Sequence, residues 1–326
     1  MPEPHPNTTP VIPPPGTPGR PARPAALTPV DAAPPRRMMA GRGILMDDAE
    51  LNGWIGRSET AEDEVSLVLL RRLAALLDLD PLALSRGAPM PEGWHVVLFA
   101  PLARQSGLGP DGHGAKGEFL PPVPLPRRMF AGRRTWFNAP LAIGAEVRRV
   151  SASLPSPRSG AAAAKWSSSP SATASRARAA NAWWRSRIWS TAPRRRRAPP
   201  PPSRRCPNCP RRRSVSFTPD TRLLFRYSAV TNNGHRIHYD ADYARSEEGY
   251  PALVVNGGIT TTKLSELAKR HLPGPLRSIT TRAGRPLFVG RPVTLAAHVE
   301  APGKVRLWAL DDSGRLAFES VAECAA

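Results

Sequence analysis

Apolar and polar positions follow two different periods in the first half of the chain, and each period predicts a type of element. In 65–79, "VSLVLLRRLAALLDL", the aliphatic residues recur at helical spacing, which predicts an amphipathic helix. The runs at 93–102 and 139–151 are rich in apolar and β-branched residues, which predicts strands. These elements form a first block of globular sequence over 46–151.

A second block, 214–326, predicts two helices followed by strands. Asp220 is placed to cap a short helix that carries Tyr227. The latter part of 252–274 predicts a second helix that ends at Gly274. Runs of alternating apolar and polar residues follow at 285–290, 291–300, 304–312 and 315–324, and they predict strands. "DDSG" predicts a hairpin turn between the last two. A helix followed by several antiparallel strands predicts an α+β domain.

Two segments outside these blocks carry nearly all of the net charge of +20. Residues 1–45 are rich in Pro, Ala and Arg without periodicity, which predicts a disordered tail; a start codon assigned too far upstream is the alternative. Residues 152–213 contain fourteen Arg, one Lys and no acidic residue, and they break the alternation expected of strands. The two blocks together are therefore close to neutral.

Three interpretations of 152–213 compete. A nucleic-acid-binding arm would need such positive charge, and Cys206 with Cys209 supplies half of a zinc site, which needs four ligands. The third interpretation is a shifted reading frame. Since Trp has a single codon, Trp183–Trp184 read one base out of register encodes valine, and the neighbouring segments then encode alternating strands. We favour this reading, with a base lost near Ser151; a sequencing error and a real lesion are both compatible with it.

Several long motifs resemble those of the MaoC-like hotdog dehydratases, and most closely the hydroxyacyl-thioester dehydratase type 2 group with its mesaconyl-CoA hydratase-like members. The motifs are "LGPDGHGAKGEFLPPVPLPRRMFAG" (108–132), "RYSAVTNNGHRIHYD" (226–240) and "EGYPALVVNGGITTT" (248–262). The resemblance implies an α+β double hotdog, in which two units each wrap an antiparallel sheet around a helix. The N-terminal hotdog, 46–151, would be incomplete, its second half disrupted by the frame shift; 152–213 would be irregular, and 214–326 would be the catalytic hotdog.

The resemblance implies reversible dehydration of a 3-hydroxyacyl thioester, carried on CoA or acyl carrier protein. Such chemistry needs a base, an acid and donors for an enolate-like oxygen. Aligned on the family motif, His238 is the general acid/base, Asn233 stands at the position of the motif Asp, and His235 stands at the motif Asn. An amide takes no proton, so Asp240 or His235 is the candidate for the missing role; hydrogen bonds that fix the loop are the alternative for both.

The substrate-binding candidates surround the predicted central helix. Gly257 and Gly258 would present backbone N–H groups to the thioester oxygen or simply allow close packing. Tyr227 is a further candidate, and Arg282 and Arg285 would meet the phosphates of CoA or lie in solvent. The family has His where this chain has Asn256. "DGHG" at 111–114 is read as a turn rather than a metal site, and no metal or other cofactor is expected.

A second hypothesis for the function is a non-catalytic acyl-thioester-binding protein or an inactivated pseudoenzyme, since half of the first hotdog is overwritten. No apolar run reaches the roughly 20 residues of a membrane span, and three Cys make no disulfide framework. We expect a cytoplasmic protein, with a mitochondrial location as the alternative. No specific nucleic-acid or membrane partner is expected, and a homodimer is compatible with the sequence.

Overall fold

The computed structural model describes residues 53–115, 119, 121, 127–154, 165–171, 184–187, 190–192 and 214–324. The predicted tail 1–45 and the cysteines Cys206 and Cys209 lie outside these residues. The disorder of the tail and the origin of the Arg-rich segment therefore stay predictions.

The first block contains one α-helix and several strands. The helix predicted over 65–79 is confirmed as α1 (Leu67–Leu76), and the hydroxyl of Ser66 accepts a hydrogen bond from the N–H of Leu69 at its start. Its apolar stripe, which includes Leu70 and Leu73, belongs to the hydrophobic core. Its strands are β1 (Ser58–Glu64), β2 (Arg127–Met129), β3 (Gly132–Trp136) and β4 (Glu146–Leu154), and three further strands follow beyond the block, β5 (Lys165–Ser171), β6 (Trp184–Arg187) and β7 (Ser190–Ala192).

Strand β1 has the sequence "SETAEDE", which has no large apolar residue and so gives no strand signal. It pairs antiparallel with the Arg-rich strand β4, where Glu62 lies opposite Arg148. An ion pair of 3.5 Å joins Glu59 to Arg149 on the same two strands. Opposite charges on facing strands stabilise the pairing, so the partner rather than the local sequence makes this segment a strand.

The second block is built on a sheet that also includes one strand of the first block, β3. Its elements are β8 (Ser214–Phe217), α2 (Thr221–Val230), α3 (Ala241–Ser246), α4 (Gly257–Lys269), β9 (Leu276–Ala283), β10 (Val293–Ala301), β11 (Lys304–Leu310) and β12 (Leu316–Cys324). The six-stranded antiparallel sheet has the order β3-β9-β12-β11-β10-β8, and α4 packs across β9 to β12. A second sheet has the order β1-β4-β5-β6, and β2 pairs with β7. Strand β3 therefore adds residues of the first block to the sheet on which the central helix of the second block packs.

Four local predictions are wrong in detail. Residues 93–102 contain a 3-10 helix, Trp94–Val97, because Gly93 takes a left-handed φ of 89° and turns the chain. Strand β4 begins at Glu146 rather than at 139, and 285–290 forms an isolated bridge at Phe288 instead of a strand. Helix α4 ends at Lys269, five residues before Gly274. Short apolar runs fit a strand and a buried turn equally well, so periodicity does not separate the two.

Two predicted signals are confirmed. The carboxylate of Asp220 caps α2 by accepting a hydrogen bond from the N–H of Leu223 at 2.8 Å. "DDSG" connects β11 to β12, with a left-handed φ of 70° at Gly314. Among the described residues, no helix has both the length and the apolar composition that crossing a bilayer requires.

The structure differs from the expected irregular chain over 152–213. The last three residues of β4 and the strands β5, β6 and β7 fall inside this segment. Strand β5 contains Pro170, and it pairs antiparallel with β4. Pairing with an established neighbour thus gives strand structure even to residues of low strand propensity. The remaining residues of the segment lie outside the described ones.

Candidate active site

The loop between α2 and α3 holds the candidate catalytic residues in a fixed conformation. The backbone N–H of Asn233 donates to the carbonyl of Ser228 at 2.8 Å, and a 3-10 turn, Arg236–His238, follows. Ile237 is buried in the core and anchors this turn. His235 precedes this turn and His238 is its last residue. Both side chains are almost fully buried.

The imidazole of His238 is held in one tautomer. Its Nδ1 lies 2.7 Å from the carbonyl oxygen of Val254, and a carbonyl only accepts, so Nδ1 carries the proton. Burial lowers the pKa of His238 to about 4, more than the hydrogen bond to Val254 raises it. At neutral pH the ring is therefore uncharged, and its lone pair is on Nε2. This is the form that a general base needs.

The buried histidine makes the stability of the fold depend on pH. The unfolded chain protonates His238 near the ordinary value of 6.5, whereas the folded chain does so only near 4, so folding is penalised as the pH falls through this window. We expect the free energy of unfolding to fall by about 2 kcal/mol between roughly pH 7.5 and pH 5 from this group alone. Urea denaturation at both pH values measures the change. His238→Gln should remove this contribution, and an equally steep pH dependence in that variant would contradict the assignment.

A row of titratable side chains leads away from His238. The ring of His235 lies edge-on to His238, with 5.4 Å between ring centroids, and the ring of His113 lies 4.3 Å from that of His235. The Nδ1 of His113 is 3.0 Å from a carboxylate oxygen of Asp111. Three imidazoles and a carboxylate thus form one continuous array, which we call the His–Asp array.

The loop that carries Asp111 and His113 belongs to the first block and docks onto the catalytic loop. The N–H of Arg236 donates to the carbonyl of Asp111 at 3.0 Å. Gly112 has a left-handed φ of 83°, and a Cβ there would overlap the carbonyl oxygen of Gly234. The reading of "DGHG" as a turn is correct, since Gly109 N–H donates to His113 C=O, but the turn also delivers two site residues.

Asp111, His113 and His235 are also the described residues that could hold a metal ion, since one ligand atom from each lies within 4.8 Å of the others. One carboxylate and two imidazoles suit a borderline divalent cation. The hydrogen bond between His113 and Asp111 satisfies the carboxylate without an ion, however.

The N-terminus of α4 lies three residues beyond Val254, the hydrogen-bond partner of His238. The amides of Gly257 and Gly258 are the first of the helix, and no backbone carbonyl of the described residues accepts from them. A Cβ at Gly258 would overlap the hydroxyl of Tyr227, and one at Gly257 would come within 3.2 Å of the ring of Phe130. Both glycines therefore allow close packing, and their N–H groups remain available for an oxygen of a ligand.

Asn256, the residue just before the helix, does not cap it through its side chain. Its Nδ2 is 3.3 Å from the hydroxyl of Ser228, while its buried Oδ1 has no hydrogen-bond partner. An unpaired buried acceptor costs about 1–3 kcal/mol unless a ligand or water donates to it. The departure from the family's His thus leaves an acceptor beside the two glycine amides.

The other loop candidates have structural contacts. The Oδ1 of Asn233 accepts from the N–H of His235 at 3.1 Å, which fixes the loop. Asp240 caps α3 through the N–H of Tyr243, and the same carboxylate pairs with Arg236 at 2.7 Å. The bond from the Tyr243 amide, with help from Arg236, lowers the pKa of Asp240, so the group is an anion at neutral pH. This arrangement favours the loop-fixing role for Asp240 over proton donation.

The two arginines predicted to meet phosphates lie three residues apart, Arg282 within β9 and Arg285 just after the end of this strand. Arg282 is exposed on β9. Arg285 is partly buried, and its Nε lies 3.7 Å from a carboxylate oxygen of Asp311 in the β11–β12 turn. Of the two, Arg282 is therefore the more accessible to a soluble phosphate group.

Comparison with known proteins identifies the family. The model of the family "Hydroxyacyl-thioester dehydratase type 2" matches residues 93–289. The chain is also 37% identical over 284 residues to mesaconyl-C(4)-CoA hydratase of Chloroflexus aurantiacus, a match that covers 85% of this chain and 99% of that protein. The chain belongs to the hydroxyacyl-thioester dehydratase type 2 family. Membership confirms the resemblance drawn from the motifs and places the chain among the hydro-lyases.

More distant relatives agree with this assignment. The mitochondrial hydroxyacyl-thioester dehydratase type 2 of Schizosaccharomyces pombe is 35% identical over 82 residues, which are 24% of this chain and 27% of that protein. Among solved structures, a MaoC-like dehydratase superposes with a TM-score of 0.61 at 12% identity, over 85% of this chain and 100% of that one. HtdX of Mycobacterium tuberculosis gives a TM-score of 0.59 at 14% identity, over 82% and 99%. The predicted α+β double hotdog is confirmed.

Proposed function

We propose that this dehydratase-family member hydrates an enoyl thioester and dehydrates the 3-hydroxyacyl product, with His238 as the catalytic base. The observation that carries the proposal is the fixed tautomer of His238. Its Nδ1 proton is bound to Val254 and its ring is neutral, so Nε2 has the lone pair that accepts a proton from water.

In the hydration direction, Nε2 of His238 takes one proton from a water molecule while the water oxygen bonds to the β-carbon of the enoyl group. The electron pair of the double bond moves towards the thioester carbonyl and forms an enolate. The amides of Gly257 and Gly258 would donate to this oxygen, and the helix N-terminus stabilises the negative charge. The imidazolium then gives this proton to the α-carbon, so the same histidine acts as the base for water and as the acid for the enolate.

The Asp111 carboxylate of the His–Asp array would support the imidazolium that forms in this step. It pairs with His113, whose own charge lowers the pKa of His238, and His235 lies against His238. A buried imidazolium gains from such an anion, because charges interact more strongly away from water. In this reading His235, His113 and Asp111 are positioning residues, and His238 alone touches the reacting atoms.

The Chloroflexus aurantiacus relative suggests the substrate class. Its name specifies a CoA thioester, and the match with this chain covers 99% of that protein. We therefore propose a short acyl-CoA as the substrate, with an acyl-carrier-protein thioester as the alternative. Arg282, exposed on β9, is the candidate for a contact with a phosphate of either carrier.

Hydration of enoyl thioesters by the purified full-length chain tests the proposal. We expect the enoyl absorbance of crotonyl-CoA or mesaconyl-C4-CoA to disappear with turnover, and the 3-hydroxyacyl product to form. Isothermal titration with the saturated analogue butyryl-CoA separates binding from catalysis. Binding without any turnover of either enoyl substrate would contradict the proposal and favour the acyl-binding pseudoenzyme.

A further inference from the structure

Strand β3 places an arginine in the interior of the protein. Its side chains alternate, so that Arg134 and Trp136 are exposed while Thr135 is buried and Arg133 is partly buried on the inner face. The strand pairs with β9, with Arg133 opposite Thr281. Arg133 therefore faces the side of the sheet on which the central helix α4 packs.

The guanidinium of Arg133 has no acidic partner among the described residues. Its Nη1 lies 3.2 Å from Nε2 of His95, and its buried Nε has no hydrogen-bond partner. Burial lowers the pKa of His95 to about 3, so this neighbour is neutral and accepts a hydrogen bond without compensating the charge. Burial also lowers the pKa of Arg133, but a guanidinium stays protonated in proteins.

Among the other partly buried arginines, Arg71 donates to the backbone carbonyl of Leu84, and two others have the carboxylates that Arg133 lacks. Arg285 lies against Asp311, and Arg149 lies against Glu59. A desolvated cation without an anion costs the fold several kcal/mol. A guanidinium that served only the structure would gain from an acidic neighbour, so the missing anion points to a ligand.

Arg133 shares its surroundings with the N-terminus of α4. Its Cζ is 6.0 Å from the centroid of the Phe130 ring, and Phe130 packs on Gly257. The charge of Arg133 also acts on Tyr227, whose hydroxyl packs on Gly258. Each of the two glycines proposed to hold the thioester oxygen is thus one side chain away from the arginine. An acyl group bound at these amides would therefore have the charge of Arg133 in its surroundings.

We propose that Arg133 binds a carboxylate at the far end of the acyl group, which makes the preferred substrate the monothioester of a short dicarboxylic acid. This inference rests on the proposed function. Arg suits the role because its planar fork meets both carboxylate oxygens. Phe130 and the neutral His95 shield the pair from water, and shielding strengthens it. The acyl group named in the Chloroflexus aurantiacus relative, mesaconyl, is that of a dicarboxylic acid.

Binding of two saturated thioesters tests this inference without turnover. Succinyl-CoA and butyryl-CoA have acyl chains of equal length and differ in a carboxylate in place of a methyl group. We expect wild-type protein to bind succinyl-CoA about 10- to 100-fold more tightly, as a charge-assisted pair predicts. Arg133→Met should abolish this preference while it leaves butyryl-CoA binding within about threefold. Isothermal titration calorimetry measures all four affinities.

The neighbouring Arg134→Met is the matched control, since it removes the same charge from the exposed face of the same strand and should keep the preference. If Arg133→Met does not fold, Arg133→Lys is the second variant. It should still weaken the binding of succinyl-CoA and not that of butyryl-CoA, because lysine keeps the positive charge and lacks the planar guanidinium that meets both carboxylate oxygens. Equal binding of both thioesters by the wild type, or a preference that survives in the Arg133 variants, would overturn the inference. Selective binding of succinyl-CoA without hydration of any enoyl thioester, fumaryl-CoA included, would keep Arg133 as a carboxylate-binding residue and reject the proposed function.

Discussion

His238→Ala should lower kcat for the hydration of crotonyl-CoA by about 10³-fold, because general acid–base catalysis contributes about 10² to 10⁴. The expected loss is large since the same imidazole would take the proton from water and return it to the α-carbon. KM should change little, because the amides of Gly257 and Gly258 and the rest of the acyl site are untouched. Steady-state kinetics of the purified variant measures both parameters.

The control for this variant is His298→Ala, since His298 is exposed on β10 and should retain wild-type kinetics. His238→Ala also leaves the carbonyl of Val254 without its donor, which costs about 1–3 kcal/mol of stability. Circular dichroism must therefore show that the variant is folded at the assay temperature. A folded His238→Ala protein with wild-type kcat would remove His238 from the mechanism.

Gly112→Ala should lower kcat by about 10²-fold, the size of effect that a displacement of about 1 Å has on a catalytic group. The new Cβ would overlap the carbonyl oxygen of Gly234, so the loop with Asp111 and His113 must move away from the catalytic loop. The His–Asp array would then lose the contact between His113 and His235. Steady-state kinetics shows the loss, and a thermal melt shows whether the rest of the fold is kept.

Gly87→Ala is the matched control for the backbone conformation. Gly87 has a left-handed φ of 81°, close to that of Gly112, but a Cβ there meets nothing within 4 Å. Both substitutions carry the same conformational strain, and only Gly112→Ala also separates the loops. Equal effects of the two substitutions on kcat would mean that docking of the 109–114 loop plays no part in the reaction.

The sequence predicts the parts of the site that follow one another along the chain. Helix α1 has a regular apolar stripe, Asp220 marks the start of α2, and the catalytic loop carries its histidines within a single motif. The glycines at the start of α4 are recognisable for the same reason. Such features depend on local spacing and capping chemistry, which a single sequence displays.

The contributions of the first block are not visible in this way. Asp111 and His113 meet His235 across more than a hundred residues, and the pattern "DGHG" by itself is typical of any tight turn. Arg133 lies in "GRRTW", where nothing but the strand register tells which of the two arginines faces inward. The acidic strand β1 likewise depends on its partner β4. Long-range contacts decide all three, and local propensity carries no information about them.

The pH dependence of kcat/KM for enoyl-thioester hydration tests the central claim most directly. Burial keeps His238 neutral down to a pKa of about 4, although the bond to Val254 acts in the opposite direction, so kcat/KM should be constant from pH 8 to about pH 5 and fall only near pH 4. Enzyme incubated at each pH and returned to pH 8 must recover full activity, which separates titration from unfolding. An acidic limb centred near the ordinary histidine value of 6.5, or no hydration at any pH, would contradict a buried, neutral His238 as the base.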